Sequence, residues 1–138
     1  MHSVEDLGLL KMDFLGLKNL TLIETALNII KRIYQKEIDL DHLPLDDQET
    51  FKLFQSALTV GVFQLESGGM RRYLKQLKPT QLEDIIAMIA LYRPGPMELI
   101  PDYIAGKHGL KQPTYLHPKL KSILEKTYGV AVYQEQLL

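Results

Sequence analysis

The clearest pattern of apolar positions is a set of five residues, each three or four places after the one before: Leu20, Ile23, Leu27, Ile30 and Ile33. This spacing places all five on one face of an α-helix. Thr21 and Glu24 have the spacing of a capping box at its start, and Asn19 is a competing cap. The pattern therefore predicts an amphipathic helix in the first quarter of the chain.

Two more helices are expected in the middle of the chain. Asp46 or Asp47 can cap a helix that carries Phe51, because a carboxylate before an apolar run accepts hydrogen bonds from free amides. Another helix should begin after the glycine pair at 68–69. It must end near Pro79, since proline cannot continue a helical ladder.

The most apolar helix is predicted to begin near Thr80, where Thr80 and Glu83 form a second capping-box pattern. It must end at the Arg-Pro-Gly-Pro sequence of residues 93–96, because neither proline can donate a backbone hydrogen bond. A further helix is expected over residues 97–104, and another from Pro118, which occupies a first helical position.

Three short apolar segments favour extended structure instead: residues 7–17, 59–65 and 130–133. The first is bounded by glycines and is typical of a buried strand, which would place Asp13 at a sheet edge or turn. With six or so helices, the fold class expected is mainly α with a few short strands, that is, α+β. No internal repeat or linker divides the chain.

Composition narrows the class of protein. Of the 138 residues, 46% are hydrophobic, which is enough for a core, and there is no cysteine to form a disulfide or thiolate site. No apolar run approaches the roughly 18 residues of a membrane span, and the N-terminus lacks a signal-like stretch. We expect a cytoplasmic protein without membrane association.

The net charge of −1 conceals an asymmetry along the chain. Residues 1–66 hold 6 basic and 11 acidic residues, whereas residues 67–126 hold 10 basic and 5 acidic residues. A split of this kind can mean that one part of the molecule faces a polyanion. On charge alone, two ordinary solvated surfaces of opposite sign are the better interpretation, because the excess is modest.

General catalytic motifs are missing from the sequence. It contains no P-loop, no dinucleotide-binding fingerprint, no His-x-x-x-His pair and no Gly-x-Ser-x-Gly elbow. Its four histidines are scattered singly, which is typical of surface or turn residues. Without a family resemblance, the residues support only a helical domain with a basic half.

Five short motifs, in order along nearly the whole chain, resemble the C-family replicative polymerases, the bacterial DNA polymerase III alpha subunits. They are Lys-Met-Asp-Phe-Leu-Gly-Leu (11–17), Gly-Val-Phe-Gln-Leu-Glu-Ser-x-Gly-Met (61–70), Ala-Leu-Tyr-Arg-Pro-Gly-Pro-Met (90–97), Lys-His-Gly (107–109) and Thr-Tyr-Gly-Val-x-Val-Tyr-Gln-Glu-Gln (127–136). The family polypeptide is several times longer. The resemblance implies an internal fragment, with the end of the palm at 1–18 and a C-terminally truncated fingers region at 19–138.

The resemblance also implies a catalytic role for Asp13. It matches the third of three palm aspartates that hold two Mg²⁺ ions, and the other two would precede Met1. Mg²⁺ takes hard oxygen ligands and few protein carboxylates, so an isolated aspartate suits it. The competing interpretation is a turn or capping aspartate near Asn19. The isolated fragment is expected to be inactive and not to bind Mg²⁺ tightly.

By the same resemblance, the fingers should contact nucleotide and DNA. Arg93 is the best candidate for the triphosphate, because prolines stiffen its surroundings and arginine offers a planar fork of donors. The other candidates for nucleotide or DNA binding are Lys107, His108, Arg71, Arg72, Tyr133, Gln134 and Gln136. A solvated basic face remains an equal alternative for Arg72, and Tyr133 could be a core tyrosine.

The expected function is therefore a part of a DNA-directed DNA polymerase, a nucleotidyltransferase. Its expected partners are primed template DNA, the incoming deoxynucleoside triphosphate and other replisome subunits. A rival hypothesis is a non-catalytic helical module that binds nucleic acid or protein through the basic region 67–126. A helical scaffold without a ligand is a third possibility. The sequence does not settle the oligomeric state.

Overall fold

The computed structural model describes residues 6–138, which divide into two compact units: the first ends at Leu43 and the second spans Pro44–Leu138. The α-helices are α1 Lys18–Tyr34, α2 Gln48–Ser56, α3 Gly68–Leu77, α4 Leu82–Leu91, α5 Ile100–Lys107 and α6 Lys121–Leu124. Short 3-10 helices occupy Pro96–Leu99, Pro118–Leu120, Glu125–Thr127 and Gln134–Gln136. Within residues 6–138, no helix is both long and apolar enough to cross a membrane.

The expected α+β class is wrong, because residues 6–138 contain no strand. The segment 7–17, predicted as a buried strand, begins in a turn, has no regular structure from residue 9 to residue 17 and is exposed along its whole length. Phe14 is 91% exposed and Leu15 is 95% exposed. A strand needs a hydrogen-bonding neighbour and a face to bury, and this segment has neither among the described residues.

The predicted strand at 59–65 is also wrong, because the segment folds into consecutive turns. The Val62 amide donates to the Thr59 carbonyl at 3.1 Å, and the Leu65 amide donates to the Val62 carbonyl at 2.9 Å. The buried Thr59 hydroxyl donates to the Leu65 carbonyl at 2.6 Å and closes the loop. Gly61 supports this path, since its φ of 82° is a conformation that glycine adopts without strain.

At 130–133 a side chain occupies the amides that a neighbouring strand would have used. Gln136 Oε1 accepts from the amides of Val132, at 2.8 Å, and Tyr133, at 3.0 Å. Since these backbone donors are already satisfied, the segment forms no ladder. The β-prone composition of this segment therefore did not predict its structure.

The first unit contains α1, the helix predicted from the apolar period, and the prediction of this helix is confirmed. Its predicted caps are wrong. The N-cap is Leu17, with no side-chain hydrogen bond, so neither Asn19 nor the Thr21–Glu24 pair caps the helix. The helix ends at Tyr34 and is followed by the C-cap Gln35, whose φ of 52° is left-handed. No residue of α1 is buried.

In the second unit the predicted helices at α2, α3 and α4 are confirmed, although α3 includes the glycine pair that was expected to precede it. Asp47 caps α2 by accepting a hydrogen bond from the Thr50 amide at 2.8 Å. The capping box expected at Thr80 is wrong: the N-cap of α4 is Gln81, and the Thr80 amide donates to Asp84 Oδ2 at 2.9 Å. The helix α4 ends at Leu91, ahead of the two prolines, as expected.

The helix expected over 97–104 begins as a 3-10 turn at Pro96 and continues as α5 to Lys107. The one expected at Pro118 likewise begins as a 3-10 turn and continues into α6. In both cases proline stands at the first helical position, where its missing amide costs nothing. Both predictions of helix are confirmed, with boundaries shifted by a few residues.

The core of the second unit lies where α3, α4 and α5 meet. Its buried members are Ala57, Leu65, Met70, Leu74, Leu77, Ile85, Ala87, Met88, Leu91, Ile100, Tyr103 and Val130. Burial raises the pKa of the Tyr103 phenol, and the negative charge of Asp84 raises it further. The core therefore fixes α3, α4 and α5, the helices that position the basic side chains.

Candidate functional site

Asp13 lies in the exposed segment that precedes α1. Its side chain is 75% exposed, and Lys11 Nζ lies 3.7 Å from its Oδ1 atom. Its carboxylate is a hard oxygen donor of the kind that Mg²⁺ prefers. Residues 6–138 nevertheless include no group of three His, Asp or Glu side chains placed to hold a metal ion. In this part of the chain, Asp13 fits a single ligand rather than a metal site.

One face of α3 carries a basic groove. A volume of about 270 Å³ is lined by Gly68, Arg71, Arg72 and Lys75. The opposite face of this helix is buried in the core through Leu74 and its apolar neighbours, so the charged positions must point outward. The groove is thus a direct consequence of the amphipathic pattern.

The two arginines of this groove are held differently. Arg71 is half-buried, and its Nε donates to the Ala57 carbonyl at 2.9 Å. Arg72 is exposed and makes no hydrogen bond to residues 6–138 through its side chain. A fixed guanidinium loses less freedom when it binds an anion, so Arg71 is the better-organised donor of the two.

Arg93 lies in the turn between α4 and the Pro96 helix, and it is exposed. Its Nε donates to the Ala90 carbonyl at 2.8 Å, which orients the guanidinium. Its backbone carbonyl accepts from the Met97 amide at 3.2 Å, and Gly95, with φ of 95°, makes the turn possible. The terminal nitrogens make no hydrogen bond within residues 6–138, so Arg93 presents an oriented pair of donors.

Lys107 is directed inward. Its Nζ lies 2.7 Å from Asp84 Oδ2 and 2.9 Å from the Thr80 hydroxyl. The side chains of Lys107 and Asp84 are 10% and 0% exposed. The other carboxylate oxygen of Asp84 is buried and has no hydrogen-bond partner among the described residues. The ammonium therefore links the end of α5 to the start of α4.

Asp84 is the residue of this arrangement that sequence reasoning did not identify. It lies next to Ile85 on a helix whose other positions are almost all apolar. A carboxylate on a buried helix face needs a cationic partner, because an isolated buried charge is very costly. The need for a cationic partner could be inferred from the sequence, but it does not indicate which lysine pairs with Asp84.

His108 and the glutamine of the last turn also contact the protein itself. The His108 Nε2 atom lies 2.8 Å from the Gln76 carbonyl, which connects the end of α5 to α3. Gln136 Nε2 donates to the Ile123 carbonyl at 3.1 Å and to the Thr127 hydroxyl at 2.9 Å. Together with the two amides bonded to its oxygen, these contacts occupy the whole Gln136 amide.

Tyr133 is half-buried, and Gln134 is exposed. Burial raises the pKa of the Tyr133 phenol, and the charge of Glu83 raises it further. Of the predicted residues in the second unit, Arg71, Arg72, Arg93 and Gln134 direct polar groups outward. Lys107 and Gln136 direct theirs inward, and the exposed His108 directs its Nε2 atom to the Gln76 carbonyl. The nucleotide-binding and DNA-binding roles of all these residues remain predictions.

Comparison with known proteins gives a consistent result. The sequence profile of the bacterial DNA polymerase III alpha subunit finger domain matches residues 19–138. The DNA polymerase III subunit alpha of Halalkalibacterium halodurans is 58% identical over all 138 residues, and that of Bacillus subtilis (strain 168) is 57% identical. That of Staphylococcus aureus (strain COL) is 51% identical over the same length.

The chain spans only 12–13% of the length of these relatives. The profile nevertheless matches far more than half of the chain, and all three relatives match it from end to end. The chain therefore belongs to the family of the bacterial DNA polymerase III alpha subunit finger domain.

Proposed function

We propose that this chain forms the fingers of a DNA-directed DNA polymerase and presents basic side chains to the incoming nucleotide and the template. The observation that carries the proposal is the match of the finger-domain profile to residues 19–138. Residues 1–18 are proposed to be the end of the palm. The reaction is template-directed nucleotidyl transfer during chromosome replication in the cytoplasm, and it belongs to the longer polypeptide.

In this proposal Arg93 binds the triphosphate. Its Nε is fixed on Ala90, and its terminal nitrogens make no other hydrogen bond to residues 6–138, so the planar fork is oriented before the ligand arrives. Arg71 and Arg72 line the second phosphate-binding surface, where Arg71 is held by the Ala57 carbonyl. Template or primer phosphates suit this open groove, since backbone contacts need charge more than shape.

The remaining predicted residues are proposed to make secondary contacts or to hold the loops that make them. Lys107 and His108 face Asp84 and Gln76, so they can reach phosphate only if these contacts open. Tyr133 and Gln134 are proposed to meet the base or sugar. Gln136 holds the loop that carries them, through its contacts to Val132 and Tyr133.

Asp13 is proposed to supply one carboxylate ligand of the catalytic metals in the full polymerase. Magnesium ions, when bound, activate the primer hydroxyl and stabilise the charge that develops on the triphosphate. Residues 6–138 contain no group of three His, Asp or Glu side chains that could hold a metal ion by itself. Primed DNA, deoxynucleoside triphosphates and other replisome subunits are the proposed partners.

The test uses a chimaera of the Bacillus subtilis DNA polymerase III subunit alpha in which this chain replaces the matching 138 residues, which are 57% identical. Arg93→Ala should raise the KM for nucleotide or lower kcat by about tenfold to a hundredfold, because a triphosphate contact is lost. Arg72→Ala is the matched control on an unconstrained arginine and should change both parameters less. Equal, negligible effects would remove Arg93 from the proposed site.

A second experiment tests Asp13. Asp13→Asn in the same chimaera should abolish primer extension at saturating Mg²⁺, whereas binding to primed DNA should persist. If the rival binding module is correct, the chimaera will bind DNA with a steep salt dependence, and polymerisation will not depend on Asp13. The 138-residue chain by itself should not extend a primer, and sustained incorporation by it would contradict the role given to the longer polypeptide.

A further inference from the structure

The close approach of α3 to the Arg93 turn is made by one pair of residues. An ideal Cβ atom built on Gly69 would lie 2.0 Å from Tyr92 Oη and 3.1 Å from Tyr92 Cζ. The phenol end of Tyr92 therefore occupies the space that any larger residue at position 69 would need. Gly69 has no left-handed φ, so a larger residue here would displace the end of the Tyr92 side chain rather than strain the backbone.

A second aromatic ring, that of Tyr73, packs against Tyr92 from the same helix as Gly69, α3. Tyr73 and Tyr92 meet edge to face, with ring centroids 6.0 Å apart and an interplanar angle of 70°. Gly69 and Tyr73 lie four residues apart on α3 and share one face. The ring of Tyr92 is thus packed against one turn of α3, with a favourable aromatic contact on one side.

Tyr92 is also the C-cap residue of α4. Its amide donates to the Met88 carbonyl at 2.9 Å, and the next amide, that of Arg93, donates to the Leu91 carbonyl at 2.8 Å. The backbone of Tyr92 is therefore fixed at the start of the turn that carries the Arg93 guanidinium. On α3, the groove arginines follow Gly69 by two and three residues.

We propose that Tyr92 is a positioning residue that fixes the Arg93 turn relative to the basic groove of α3. The phenol seated over Gly69 sets the spacing between the two phosphate-facing surfaces, so that one triphosphate or one primed template can engage both. This inference rests on the proposed function of Arg93 and the groove. It assigns Tyr92 and Gly69 a part in the spacing of the site, without contact to the substrate.

The first arm of the test examines the contact itself in the 138-residue chain. Nuclear Overhauser effects between the Tyr92 ring and the Gly69 α-protons should be present in the unsubstituted chain and absent in Gly69→Ala. Gly68→Ala is the matched control, because a Cβ at that position meets nothing within 4 Å. It should leave the effects unchanged. Their absence in the unsubstituted chain overturns the inference whether or not the chain serves a polymerase.

The second arm measures primer extension with the chimaera described above. Gly69→Ala should lower kcat/KM for nucleotide by about tenfold or more, since small misplacements at a reacting site are expensive. Tyr92→Phe, which keeps the ring, should stay within about twofold of the parent. The double variant Gly69→Ala with Tyr92→Phe should recover most of the loss, because the atom at 2.0 Å is then gone and the nearest one lies at 3.1 Å.

The third arm separates positioning from damage to the fold. In an Arg93→Ala background, adding Gly69→Ala should cause little further loss in kcat/KM, because the spacing acts through Arg93. A fully additive loss in the Arg93→Ala background overturns the inference. So does a variant with Gly69→Ala and Tyr92→Phe that is as poor as Gly69→Ala alone. If the unsubstituted chimaera does not extend primers, the proposed function fails, while the nuclear Overhauser result still decides whether Tyr92 holds α3.

Discussion

The two units of this chain use apolar residues in opposite ways. The helix α1 of the first unit has 17 residues and a regular apolar face, yet none of its residues is buried. The helix α3 of the second unit has 10 residues and buries Met70, Leu74 and Leu77. An amphipathic period therefore predicts that a helix forms, but it does not tell which surface, if any, covers its apolar face.

The same difference appears in the ion pairs. Lys31 and Glu37 of the first unit form an exposed pair, with side chains 64% and 76% accessible. Lys107 and Asp84 of the second unit are almost wholly removed from solvent. Exposed pairs are screened by water and ions, whereas a buried pair has large opposing desolvation and Coulomb energies. Only the buried pair makes the stability of the fold depend strongly on both side chains.

The largest expected effect on the stability of the fold is that of a substitution at Lys107. The change Lys107→Met leaves Asp84 buried without its cation, and removing one partner of a buried pair typically costs about 3–5 kcal/mol. Lys31→Met, the matched change in the first unit, should leave the unfolding midpoint unchanged, because both partners there are exposed. Urea denaturation of the 138-residue chain at neutral pH measures both variants.

A double substitution sharpens this result. Asp84→Leu combined with Lys107→Met removes both charges and should recover part of the lost stability, since no buried charge remains unpaired. If the single and double variants unfold at the same urea concentration, the charge pair is not the cause of the loss. Equal midpoints for Lys107→Met and Lys31→Met would erase the difference between the two units.

The second prediction compares core packing with the exposed helix. Leu74 is 0% exposed in the centre of the second unit, and Leu74→Ala should cost about 2–5 kcal/mol through lost burial and the cavity left behind. Leu20 of α1 is 63% exposed, so Leu20→Ala should change the unfolding free energy by less than about 0.5 kcal/mol. Thermal unfolding followed by circular dichroism gives both values.

This comparison can fail in an informative way. If Leu20→Ala destabilises the chain as much as Leu74→Ala, then α1 buries its apolar face in solution, and the exposed state described above is not the one measured. Ile33→Ala, on the same face of α1, then serves as a second check and should show the same loss.

The helices were predictable because their signals are local. Asp47 caps α2, and Pro94 stops α4, through interactions within a few residues of each helix end. The absence of strands from residues 6–138 was not predictable, since whether a β-prone segment pairs depends on a distant partner. The β-prone sequences at 59–65 and 130–133 obtained their hydrogen bonds from a loop hydroxyl and from Gln136 instead. Local composition does not show which of these hydrogen-bond partners a segment will use.

The candidate site shows the same limit. The Arg93 turn followed from its two prolines, and the groove on α3 followed from the helical period. The inward direction of Lys107 did not, because its partner Asp84 lies 23 residues earlier in the chain. The packing of Tyr92 over Gly69 is likewise a contact across 23 residues, visible only in the folded chain.

The smallest expected effects concern acid sensitivity, and they again separate the units. The Thr50 hydroxyl and amide donate to Asp47 and hold the pKa of its carboxyl below the ordinary 3.8. In the first unit, hydrogen bonding and charge from Lys31 lower the pKa of Glu37 below the ordinary 4.5. A lowered pKa stabilises the fold above the unfolded value, and the contribution is lost as the pH falls through the folded value.

Both contributions should therefore be complete at neutral pH and decline only below about pH 4. Their readouts differ, because α2 buries Phe51 within the second unit, whereas no residue of α1 is buried. Acid should lower the global urea midpoint through Asp47, and Asp47→Asn, which keeps a capping oxygen but does not titrate, should flatten that part of the profile.

Glu37→Gln should leave the profile unaltered and remove only a local acid-dependent shift in the amide resonances at the end of α1. If Glu37→Gln flattens the global profile as much as Asp47→Asn does, the end of α1 unfolds cooperatively with the core, and the two units are one folding unit.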